Sequence, residues 1–128
     1  MKAARIFNLL NGWFYVLYGL FGALQPVKMA ELMGWAPDLL GLHQIRAIWM
    51  VCFAAGLIIV MTAHKRVDQK PLLLAIIFIL LAFATGRLLG LALDGPGPTQ
   101  TYFELGLEVF LICVGTLIYR EANRSNST

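Results

Sequence analysis

The stretch PLLLAIIFILLAFATGRLLGLAL, residues 71–93, carries one charged side chain, Arg87, and no other ionisable group. A helix crossing the roughly 30 Å hydrocarbon layer of a bilayer needs about 20 predominantly apolar residues, and this run meets that length. Three more runs of similar character lie at residues 6–24, 42–63 and 101–119. Hydrophobic residues make up 59% of the chain and charged residues 13%, and mean hydropathy is +0.75. Soluble domains carry about 45–50% apolar and about 25% charged residues. A soluble helical bundle is thereby excluded, because too few polar residues are left to cover its surface. The expected fold class is all-α: an integral membrane four-helix bundle, one domain over residues 1–120, with a disordered polar tail at 121–128.

The first run follows Lys2 and Arg5, as a signal peptide would. It is longer than the usual h-region of about 7–15 residues and carries two asparagines, so it is expected to stay as a helix. Lys2, Arg5, Lys65, Arg66, Lys70, Arg120 and Arg124 all fall on one side of the predicted spans, and only Lys28 lies in the loops of the other. The positive-inside rule then puts both termini on the cytoplasmic side of the membrane. The net charge of +3 therefore implies no nucleic-acid partner.

The connections sharpen this arrangement. Pro26 stops the first span, and residues 27–33 can form a short interfacial helix with Lys28 and Glu31 on one side, anchored at the surface by Trp35. The loop HKRVDQK (64–70) and the tighter DGPGPT (94–99) make the second, third and fourth spans successive antiparallel neighbours. Cys52 and Cys113 are far apart and lack the spacing of a metal or redox motif. No metal and no cofactor are expected.

In lipid a polar side chain is costly, so polar positions should mark the inward faces. Asn8, Asn11, Tyr15, Tyr18, Gly22 and Gln25 are spaced 3, 4, 3, 4, 3 and share one face of a helix. Thr101, Glu104, Glu108, Leu111 and Gly115 form a similar stripe on the last span, and Phe83, Arg87, Gly90 and Asp94 share a face of the third. Ala82, Gly86 and Gly90 form a small-xxx-small ridge beside it, suited to close helix contact. His43, Arg46 and Met50 align on the second. At 1.5 Å per residue, Tyr18, Arg46, Arg87, Glu104 and Glu108 all reach a similar level, no more than about 10 Å inside the outer boundary. Two arginines and two glutamates make a neutral set. The expected pairing is Arg87 with Glu108, with Arg46 and Glu104 completing the network, which removes much of the cost of charge at depth.

Such a cluster reads either as a clasp fixing helix register or as a pocket in which Arg46 or Arg87 meets the anionic group of a lipid-like or small amphiphilic ligand. No nucleophile elbow, phosphate loop or zinc motif is present in the sequence. The function expected is that of a non-enzymatic multi-pass membrane protein. It would bind such a ligand or serve as an accessory subunit of a larger membrane assembly or homo-oligomer. The rival is a membrane enzyme or carrier using Glu104 or Glu108 for proton transfer opposite Arg46 and Arg87.

QIRA at 44–47, GRLLGLALDG at 86–95 and the glutamate at 108 resemble a family of small bacterial four-helix membrane proteins catalogued as a domain of unknown function. The resemblance spans almost the whole chain and implies a four-helix membrane fold. It points to Arg46, Arg87, Asp94 and Glu108 as the positions of interest, and it implies no activity. In that family an acidic residue often precedes the IRA element and Tyr-Gly-Gly tends to follow it. Here Gln44 and Trp49-Met50-Val51 stand in those places.

Overall fold

A computed structural model describes residues 2–36, 38–65 and 67–124. Its elements, in chain order, are α1 (Lys2–Leu24), α2 (Pro26–Leu32), α3 (Leu39–His64), α4 (Lys70–Leu93) and α5 (Thr99–Arg124). There are no strands among the described residues. Four of the helices are long and apolar enough to cross a membrane, α2 being the short one. The chain divides into two compact units, one formed by Asn8–Val67 and the other by Met1–Phe7 with Asp68–Thr128. The boundary falls inside α1.

Local chemistry accounts for the breaks. The Gln25 N–H donates to Phe21 O at 2.8 Å as the last helical bond of α1, and Pro26, which has no N–H, opens α2 at its first position. α2 buries Pro26, Met29 and Ala30 and leaves Lys28, Glu31 and Leu32 outside. It closes at Gly34, whose φ of +70° suits glycine, while the Trp35 N–H returns to Ala30 O at 2.8 Å. Asp38 caps α3 by accepting from the Gly41 N–H at 2.8 Å. Asp68 accepts from the Lys70 N–H at 3.0 Å, just before Pro71 in the first turn of α4. At the far end of α4, Gly95 takes φ +94°, and α5 begins after Pro98.

The helices run past the predicted spans. α5 continues to Arg124, so residues 121–124, expected as disordered tail, are helical. Glu, Ala and Arg are good helix formers, and Ala122 is buried. Residues 125–128 and Arg66 lie outside the described residues.

In the unit 8–67, α1 and α3 approach through glycine. A Cβ at Gly56 would lie 2.5 Å from Val16 N, one at Gly12 would lie 2.8 Å from side-chain atoms of both Ile59 and Val60, and one at Gly19 would strike the Phe53 backbone. These pairs run in opposite directions along the two helices, so α1 and α3 are antiparallel. The stripe predicted to face inward largely does so: Asn8, Asn11, Tyr15 and Gly22 are buried and Tyr18 is half-buried, whereas Gln25 is exposed.

The unit built on α4 and α5 packs differently. α4 buries Leu73, Ile76, Ile77, Leu80 and Ala84, a stripe whose continuation one turn further is Arg87. Between helices in lipid, apolar side chains gain close packing rather than escape from water. The ridge at Ala82, Gly86 and Gly90 is not the packing surface. Ala82 and Gly86 are exposed, and a Cβ at Gly86 would meet nothing within 4 Å. The aliphatic stripe buries α4 along its other face and turns the glycines outward.

Candidate functional site

The DGPGP turn at 94–98 folds α5 back along α4 and brings the polar ends of the two helices together. Arg87 Nε donates to Glu108 Oε1 at 3.0 Å and to Oε2 at 3.2 Å. The Nη2 of the same guanidinium makes an ion pair with Glu104 Oε2. Gln100 Nε2 donates to Glu104 Oε1 at 2.8 Å. Glu104 and Glu108 share a face of α5 because they stand one turn apart, and as bare like charges they would repel. One guanidinium set between them removes that conflict, and its planar fork serves two acceptors at once.

The cluster is enclosed but not sealed. The side chain of Glu108 is 10% exposed, that of Glu104 14% and that of Arg87 27%. The contacts tie α4 to α5 through one guanidinium, and truncating one member of such a buried charged set leaves an uncompensated charge. Chemically it offers two carboxylates, one cation and an amide. Among the described residues no group of three His, Cys, Asp or Glu could hold a metal ion.

The other predicted site residues have contacts of their own. Asp94 is the C-cap of α4, its N–H bonded to Gly90 O at 2.8 Å. It is exposed and makes no ion pair among the described residues. Arg46 and Tyr18 belong to the unit 8–67. Arg46 Nη1 donates to Ala23 O at 2.7 Å. That carbonyl lies in the last turn of α1, where the helix ends and carbonyls lose their donors four residues on, and a cation there also complements the helix dipole. Tyr18 stacks on Phe14 with centroids 5.2 Å apart and meets Trp49 edge-on at 5.0 Å. Trp49 in turn lies over Gly22, whose Cβ would strike the indole. Within its own unit Glu104 is held by Arg87 and Gln100, and within its own unit Arg46 serves a backbone carbonyl.

Three participants were not singled out from sequence. Gln100 stands four residues before Glu104, the spacing of helical neighbours, but the predicted span began after it. The acceptor at Ala23 follows from Pro26, which ends α1 and strands the carbonyls before it. Trp49 stood out only as the residue in place of the family's tyrosine, with nothing to set it against Tyr18 and Gly22.

No curated protein and no solved structure matches the chain. One family does, over residues 3–119, a range that takes in most of each of the four long apolar helices and every residue of the Arg87 cluster. By that match the chain belongs to the family described as Domain of unknown function (DUF4345).

Proposed function

We propose that this protein is a non-catalytic accessory subunit of a membrane assembly, in which the Arg87–Glu104–Glu108 clasp holds α4 against α5. The observation that carries this reading is that one guanidinium engages both carboxylates, so the cluster is spent internally. A lipid-like or small amphiphilic ligand with an anionic group would compete for Arg87 or Arg46 with acceptors each already has. The apolar side chains exposed along the spans, Leu10, Leu17, Ile58, Phe78 and Phe103 among them, suit lipid or a neighbouring membrane subunit equally. The distribution of lysine and arginine favours both termini in the cytoplasm, and the resemblance to small bacterial membrane proteins favours a bacterial inner membrane as the setting.

Affinity purification from native membranes in mild detergent, followed by mass spectrometry, tests the subunit reading. A stoichiometric membrane-protein partner is expected, and a lone chain under several mild detergents would sink it. The second reading, a proton-transferring carrier or enzyme, draws on the excess of one carboxylate over the guanidinium. Proton flux into liposomes containing the protein, abolished in both Glu104→Gln and Glu108→Gln, would replace the subunit reading with that one.

A further inference from the structure

The outward face of α5 has a composition that the clasp does not use. Phe110, Cys113, Leu117, Arg120 and Arg124 follow one another at spacings of 3, 4, 3 and 4 and so share a single helix face. All five are exposed, Phe110 by 61% and Leu117 by 65%. The stripe is apolar for two turns within the span and then turns cationic at the helix end.

The same end of this unit collects further positive charge. Ile77 and Phe7 both flank the position of Gly115, which sets the first turn of α1 beside the α4–α5 pair. Lys2 and Arg5 lie in that turn, and Lys70 opens α4. The unit thus has five cations toward this end against two carboxylates, Asp68 and Glu121. Beyond them it has Arg87 against Asp94, Glu104 and Glu108.

We propose that this stripe seats an anionic phospholipid, with an acyl chain along Phe110, Cys113 and Leu117 and the phosphate between Arg120 and Arg124. Guanidinium groups one turn apart on the same face can both donate fork-shaped hydrogen bonds to one phosphate. A soluble anion would use the arginines alone. A lipid also uses the exposed apolar turns that lead to them. The arginine pair begins about 18 Å along α5 from Glu108 at 1.5 Å per residue, so the phosphate position is separate from the clasp and independent of the subunit reading.

Native mass spectrometry of the full chain, after incubation with phosphatidylglycerol or phosphatidylcholine of matched acyl chains, tests the proposal. Preferential retention of phosphatidylglycerol is expected. The double variant Arg120→Gln/Arg124→Gln should cut that retention by roughly tenfold or more, while Lys28→Gln on α2 leaves it unchanged. If the double variant folds poorly, the wild-type chain still decides: raising the salt should weaken phosphatidylglycerol retention and spare phosphatidylcholine. Equal retention of the two lipids overturns the proposal. So does a folded double variant that keeps its phosphatidylglycerol, or one that loses a co-purifying protein instead of the lipid.

Discussion

The two units solve the same problem, holding antiparallel helices together in lipid, by opposite means. In residues 8–67, α1 and α3 meet backbone to backbone through Gly12, Gly19 and Gly56, and the arginine there serves a carbonyl. In the α4–α5 unit the glycines of GRLLG face outward, an aliphatic stripe is buried, and the arginine serves two carboxylates. Where helices can approach closely, dispersion and small residues suffice. Where they are held by an ion pair, stability hangs on one polar group. The teaching is that a glycine pattern or an arginine in a span does not reveal its partner by type alone.

The sharpest way to break this contrast is Arg87→Leu. It leaves Glu104 and Glu108 close together without a cation, and a loss of about 3 kcal/mol or more is expected in detergent unfolding. A loss below that of the glycine variants would mean that the clasp is not what holds α4 to α5. Next comes Gly56→Ala, whose added methyl falls against Val16 N and should cost about 1–3 kcal/mol by overpacking. A neutral result, read by the same unfolding assay, would show that α1 and α3 part easily.

Arg46→Ala is expected to cost about 1.5 kcal/mol, the low end for a hydrogen bond from a charged group, because Arg46 is exposed. If it instead proves as damaging as Arg87→Leu, Arg46 belongs to a charged network after all. The smallest effect should come from Gly86→Ala, because nothing lies within 4 Å of the new methyl. Stability within about 0.5 kcal/mol of wild type is expected. A clear loss in the unfolding assay would return the GRLLG ridge to the packing surface.

Much of the architecture was legible because lipid simplifies the code. Residues 71–93 could be read as a span from length and apolarity, and the 3, 4, 3, 4, 3 stripe on α1 from the cost of polar groups in lipid. The site was legible in part. Depth counting set Arg87 and Glu108 level, and the structure places them 3.0 Å apart at Nε and Oε1. The same counting also set Arg46 level with Glu104, and depth says nothing of who stands across from whom. The helix in residues 121–124 was missed for a related reason: polar composition suggested a tail, while the buried Ala122 extends α5.

By itself the sequence determined the solvent, the number of spans and the inward stripe of α1, since these depend on composition and on the 3.6-residue period alone. It also determined the sharp turn at 94–98, because proline and glycine act on their own backbone. Only the tertiary structure decided that one guanidinium, that of Arg87, meets both glutamates and which glycines are in contact. Both depend on the rotation of each helix about its axis, which is set by how whole faces pack. A charge at the right depth has several acceptors in reach, and only the packed faces decide which one it meets.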